Sequence, residues 1–141
     1  MRKEMSMVYL TRKEHFNAAH RLYNPKWSDE QNEEVFGKCA NKNYHGHNYN
    51  LYVTVKGEPD PDTGIIVNLK DLSQIIQSRI TDQLHHKNLN IEVEFLKGIM
   101  PSTENLARAI FIELKKYLAG CELHSVKLFE TENNFAEYFG D

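Results

Sequence analysis

The stretch FGKCANKNYHGHNYNLYVTV, residues 36–55, decides the reading of this chain. From Tyr44 onward it alternates like a β-strand. Residues two apart on a strand point the same way, so His45, His47, Tyr49, Leu51, Val53 and Val55 share one face. The imidazoles flanking Gly46 therefore project together, at a separation that one small ion bridges. Upstream, Val8 to Leu22 alternates loosely and places Phe16, Ala18 and His20 on one face. Neutral imidazole is a common zinc ligand, and three protein ligands with one open position is the usual layout of a catalytic zinc. His20, His45 and His47 are thus candidate Zn2+ ligands, and the chain reads as a small zinc enzyme. The plain alternative for an H-x-H pair alone is two exposed histidines on a sheet edge.

The flanking segments supply the fold. Residues 23–43 are polar and read as a long loop carrying Trp27, Phe36 and Cys39; loops of that length in a compact domain are more often functional than idle. GEPDPDTG, residues 57–64, is a turn dense in Gly, Pro and Asp, and Ile65 to Val67 is expected to continue the hairpin. Leu69, Leu72, Ile76, Ile80 and Leu84 recur at three- and four-residue steps, the mark of an amphipathic helix, with Asn68 as its N-cap. A second helix follows Pro101, capped by Ser102 or Thr103, with Leu106, Ile110, Leu114 and Leu118 on its inner face and Gly120 at its stop. Two C-terminal strands follow, His124 to Thr131 and Phe135 to Phe139. The expected fold is α+β, in ββααββ order: a four-stranded antiparallel sheet with both helices on one face. Such a sheet leaves two open edges, which predicts an oligomer.

Composition narrows the setting. At 141 residues, with 17 basic and 20 acidic side chains, the chain is expected to form one domain over residues 8–141 after a lead of residues 1–7. No basic cluster offers itself to a phosphate backbone, which argues against nucleic-acid binding. Cys39 and Cys121 form no disulfide framework, MRKEMSM lacks the apolar core of a signal peptide, and no segment approaches the roughly 20 apolar residues of a membrane span. A cytoplasmic protein without membrane contact is expected.

Further side chains carry chemistry. Cys39 sits in a polar loop near the proposed metal, where a thiolate serves as general base or nucleophile; a buried small hydrophobe is the alternative. His85 and His86 follow the first helix in LHHKNLN. Glu130 has the inward parity of an apolar strand, where a carboxylate needs donors, from a salt bridge or from a ligand's amino and amide groups. Glu104, in the first turn of the second helix, favours the helix dipole.

Five segments in order, FNAAHRL, FGKCANKNYHGHNY, LHHKNLN, PSTENLA and LFETENN, resemble the 6-pyruvoyl-tetrahydropterin synthase family of tetrahydrobiopterin biosynthesis. That family includes the 6-carboxy-tetrahydropterin synthases of queuosine biosynthesis. The resemblance spans Val8 to Gly140. It implies the tunnelling fold, in which trimers close a β-barrel and stack as a homo-hexamer, a dimer of trimers, with sites between subunits. It also implies 7,8-dihydroneopterin triphosphate as substrate, a lyase reaction, and Zn2+ on His20, His45 and His47. By the match Cys39 is the general base, His86 the proton relay and Glu130 the pterin anchor, while Thr103 and Glu104 help to hold the pterin ring.

One position departs from the family pattern: His85 stands where an aspartate is expected. A neutral His85 orients His86 by hydrogen bond but supplies no negative charge, so an altered or slowed relay is expected, with Asp82 or a water substituting. Five residues between Cys39 and His45 resemble the pyruvoyl-type enzymes, which makes 6-pyruvoyl-tetrahydropterin synthase the favoured activity. The alternatives are the carboxy-type activity and a weakly active or non-catalytic zinc- and pterin-binding relative. Cys39→Ala is expected to abolish triphosphate elimination while zinc is retained, read by product assay and metal analysis; zinc lost together with activity would make the thiol a ligand instead of a base.

Overall fold

The computed structural model describes residues 6–141; the signal-peptide reading and most of the seven-residue lead fall on residues 1–5, outside the described residues. Two long strands, β1 (Val8–His20) and β2 (His45–Gly57), run antiparallel with Leu10 opposite Val55, Phe16 opposite Tyr49 and His20 opposite His45. β4 (Glu122–Thr131) pairs with β2 and β5 (Asn134–Tyr138) pairs with β4, both antiparallel. A two-residue strand, β3 (Lys87–Asn88), joins the other side of β1 in parallel. The sheet is therefore mixed and five-stranded, ordered β3-β1-β2-β4-β5, not the four-stranded antiparallel sheet expected. Two residues carry no readable period, so β3 is a product of tertiary packing.

The expected ββααββ order is interrupted by β3 and by a helix between the first two strands. In place of a bare loop at 23–43 stand α1 (Asp29–Phe36) and a 3-10 turn, Gly37–Ala40. Ser28 caps α1 by accepting from the Gln31 amide at 3.1 Å. Its buried residue is a polar one, Asn32. That amide accepts from the Asn24 N–H at 2.6 Å and donates to the carbonyls of Asn24 and Ser28, each at 2.9 Å. DEQNEEVF has no apolar stripe to signal a helix; a buried polar staple holds it instead.

A helical rod follows β2. α2 (Leu69–Ile76) passes through a π-helical turn, Gln77–Thr81, into α3 (Asp82–Leu84). Asn68 caps it as expected, accepting from the Lys70 amide at 2.9 Å. The wider turn buries both Ile80 and Thr81 and keeps Leu72, Ile76 and Leu84 on the sheet. Leu69 is exposed and lies outside that stripe. Nor does Ile65 to Val67 extend the hairpin: the Asp60 amide bonds to the Ile65 carbonyl at 3.0 Å, and Ile66 packs over Gly57, where a Cβ would come within 2.7 Å of its methyl.

α4 (Thr103–Lys115) starts at Ser102, whose hydroxyl accepts from the Asn105 amide at 3.1 Å. It ends before Gly120, and Leu118 lies beyond it, half-buried against the core. Leu106, Ile110 and Leu114 meet the rod and the inner sheet residues Phe16, Tyr49, Leu51, Val53, Val126 and Leu128 in one core, so the helices pack on one sheet face. Phe16 and Tyr49 stack at 4.8 Å. Among the described residues no helix is long and apolar enough to cross a membrane.

Glu14 shares the inward face of β1 and is buried. It accepts from Ser73 Oγ at 2.7 Å, Arg12 Nε at 2.9 Å and Gln77 Nε2 at 3.2 Å, tying the strand to the rod. Burial alone raises a carboxyl's pKa, but these donors outweigh it and hold Glu14 below the ordinary 4.5. Glu14→Gln sets amide hydrogens against those donors and is expected to cost about 1–3 kcal/mol at neutral pH, read as a lower denaturation midpoint. A depressed folded pKa stabilises fully above 4.5 and loses that stabilisation as pH falls through the folded value. The gap between wild type and variant should close in that acid range; a gap that widens there contradicts the assignment.

Candidate metal centre

The β1–β2 register builds the site. It sets His20 opposite His45 and Ala18 opposite His47, so all three imidazoles have the inward parity of Phe16 and Tyr49 and meet at the end of the core. The ring centroids lie 4.6, 5.0 and 4.9 Å apart, each pair edge to face. One nitrogen from each ring falls within 4.8 Å of the other two.

His20, only 1% exposed, has a fixed tautomer. Its Nδ1 lies 2.7 Å from the Pro101 carbonyl. A carbonyl only accepts, so Nδ1 carries the hydrogen and Nε2 keeps its lone pair. The Tyr49 hydroxyl stands 3.4 Å from the same nitrogen. Burial pushes the His20 pKa down, and the neighbouring His45 and His47 add to this, against the Pro101 bond and the Glu130 charge. His45 is lowered too, by burial and then by His47. Both rings are thereby kept neutral, the form that ligates metal. Burial and the Glu130 charge raise the pKa of Tyr49, which stays a phenol.

Three buried ring nitrogens, His20 Nε2, His45 Nδ1 and His47 Nε2, have no hydrogen-bond partner among the described residues. Buried polar atoms are normally paired, and each orphan costs about 1–3 kcal/mol. One divalent cation held by the three rings satisfies all of them at once, so the donor set fits a metal of the zinc type.

Glu130, from β4, stands beside the trio. Thr103 Oγ1 donates to its Oε2 at 2.5 Å. Oε1 lies 3.6 Å from His47 Nε2 and Oε2 3.8 Å from His20 Nε2. Those separations exceed hydrogen-bond length, and His20 is biased towards neutrality, so Glu130 faces the three imidazoles without forming an ion pair with them. The segment Pro101–Thr103 thus serves both groups: one carbonyl for His20 and one hydroxyl for Glu130. Glu104, the next residue, is exposed in the first turn of α4.

Cys39 and His86 stand outside the trio. Cys39 is half-buried in the 3-10 turn. Its carbonyl accepts from the Leu22 amide at 2.7 Å, and Arg21 Nη2 donates to the Ala40 carbonyl at 3.1 Å, which docks that turn against the chain just after His20. His86 lines an open depression of about 540 Å³ together with His47, Gly46, Asn17, Asn48 and Glu92. The expected hydrogen bond from His85 to His86 is absent: His85 Nδ1 accepts from the Asn17 amide instead, and the two rings stack. Sequence reasoning missed Pro101, Asn17 and the hydroxyl of Tyr49 as parts of the site. The carbonyl of Pro101 lies 81 positions from His20, and no local pattern signals such a pairing.

Residues 9–141 match the family described as 6-pyruvoyl tetrahydropterin synthase. The chain is 46% identical over 134 residues to a protein of Dictyostelium discoideum named 6-pyruvoyl tetrahydrobiopterin synthase, covering 95% of this chain and 97% of that one. The solved structure of the Caenorhabditis elegans 6-pyruvoyl tetrahydropterin synthase superimposes with a TM-score of 0.92 at 38% identity, over 99% of this chain and 100% of that chain. A 6-carboxy-5,6,7,8-tetrahydropterin synthase of Haemophilus influenzae is similar at 28% identity over 123 residues, 72% of this chain and 84% of its own length.

A ligand that binds only the folded protein stabilises it by about 2.7 kcal/mol at a hundredfold excess over its Kd. Zn2+ added to chelator-treated protein should therefore raise the thermal midpoint by several degrees, and His47→Ala should remove most of that rise. An equal rise in the variant would contradict the trio as ligands.

Proposed function

From the premise that this chain belongs to the 6-pyruvoyl tetrahydropterin synthase family, we propose that it converts 7,8-dihydroneopterin triphosphate to 6-pyruvoyl-tetrahydropterin with elimination of triphosphate, as a Zn2+-dependent carbon–oxygen lyase. The observation that carries the zinc requirement is the set of three buried imidazole nitrogens that have no hydrogen-bond partner among the described residues. The preference for the pyruvoyl over the carboxy product rests on the higher identity to pyruvoyl-type relatives.

Loss of triphosphate begins with removal of a proton from a carbon beside a hydroxyl-bearing carbon, a very weak acid. When bound, Zn2+ supplies Lewis-acid stabilisation of the charge that develops on the side-chain oxygens. Cys39, as thiolate, takes the proton. His86 returns protons so that enol products become ketones. Overall the reaction is redox-neutral: triphosphate leaves and the remaining hydrogens are redistributed within the pterin. Glu130, with one oxygen bonded to Thr103, keeps lone pairs to accept hydrogen bonds from the guanidine-like edge of the pterin and orient it. Glu104 assists from the same helix start.

The assembly proposed is a hexamer of two stacked trimers with the tunnelling fold and sites between subunits. It is supported by two open edges: β3 covers β1 only at Ala18 and Ala19, and β5 is the other rim. Val8 and Tyr9 on one rim and Phe135 on the other are exposed apolar residues suited to strand pairing between subunits. A reducing, cytoplasmic setting suits a thiol that must stay free.

Incubating the zinc-loaded protein with 7,8-dihydroneopterin triphosphate should release triphosphate and give a pterin with the mass of the pyruvoyl product. A carboxylated pterin with acetaldehyde would assign the carboxy-type reaction, and binding without triphosphate release would assign a non-catalytic relative. Glu130→Gln should raise KM about 10-fold or more through the lost charge-assisted bonds.

A further inference from the structure

The helical rod ends at Leu84, and the next two residues are clipped to Asn17 of β1. The Asn17 amide donates to His85 Nδ1 at 3.1 Å, and the His86 amide donates to the Asn17 carbonyl at 2.6 Å. His86 takes φ 60°, the left-handed region that a side chain with a Cβ adopts infrequently. The two rings stack with centroids 3.9 Å apart and planes 25° from parallel. Among the described residues the His86 ring makes no hydrogen bond, and the face of His85 is the aromatic surface packed on it.

The lock on His85 has a defined chemistry. A backbone amide only donates, so Nδ1 must hold its lone pair and the ring hydrogen of the neutral form sits on Nε2. A carboxylate at this position would act on His86 through charge; a pinned neutral imidazole acts through its surface. We propose that His85 is a positioning residue, a flat platform fixed by Asn17 that sets the orientation of the His86 ring above the depression it shares with His47. The kinetic side of this proposal rests on the reading of His86 as proton carrier; the orientation itself does not.

Two variants separate platform from acceptor. His85→Phe keeps a stacking face and loses the acceptor, while His85→Asn keeps an acceptor for the Asn17 amide and loses the face. With the full-length zinc protein and 7,8-dihydroneopterin triphosphate, kcat should fall about 10-fold or more in His85→Asn with KM near the wild-type value, and stay within about threefold in His85→Phe. Long-range 1H–15N correlation on 15N-histidine protein should find His85 of the wild type as the Nε2–H tautomer. The His86 ring signals should keep their positions in His85→Phe and shift towards averaged values in His85→Asn. The reverse order of the variants, or wild-type kcat in both, overturns the platform. If the wild type releases no triphosphate, the lyase reading fails on its own, and unchanged His86 signals in His85→Asn would still overturn the platform.

Discussion

The register between β1 and β2 is the constraint on which the site depends. With a side-chain period of two, a slip of one residue would turn either strand's inward set to the outer face. The same pairing that stacks Phe16 on Tyr49 also sets His20 against His45. Core packing and the convergence of the three imidazoles are therefore a single decision. The apolar face of the sheet, closed by the rod and α4, fixes the register, and the three imidazoles at its end inherit positions that they would not adopt for their own stability. Among the described residues three buried ring nitrogens have no hydrogen-bond partner, and one bound cation would satisfy them together.

Around that trio the other candidate site residues stand on separate elements. The start of α4 supplies the Pro101 carbonyl that fixes the tautomer of His20 and the Thr103 hydroxyl that holds Glu130. The edge of β1 at Asn17 holds His85 and His86. The turn that carries Cys39 is docked by backbone bonds at Leu22 and Arg21, and the preceding α1 is stapled by Asn32. Each candidate site element is thus positioned by a carbonyl, amide or hydroxyl from another part of the chain, while the sheet provides the common frame.

How much of this was legible in the sequence follows from the range of each interaction. Alternation in β2 and the leucine and isoleucine spacing of the rod are local, and they put the histidines on the inward face and located the main strands and the two principal helices. β3 has two residues and exists because β1 offers it an edge. The helix at Asp29–Phe36 is held by a buried asparagine amide, so no apolar period announces it. Leu69 fits the helical spacing yet is exposed, because periodicity gives phase but not which turns the sheet covers. His85 was expected to bond to His86; its acceptor nitrogen is instead satisfied by the Asn17 amide, a contact across 68 positions.

We propose that three imidazoles from two strands hold one zinc ion with room left for the substrate's hydroxyls. X-ray absorption at the zinc edge, on protein reconstituted with a single equivalent of Zn2+, tests it most directly. Three histidine nitrogens at about 2.0–2.1 Å, with the remaining position filled by oxygen and no sulfur, are expected. A sulfur scatterer at about 2.3 Å, or fewer than three imidazoles, would contradict it.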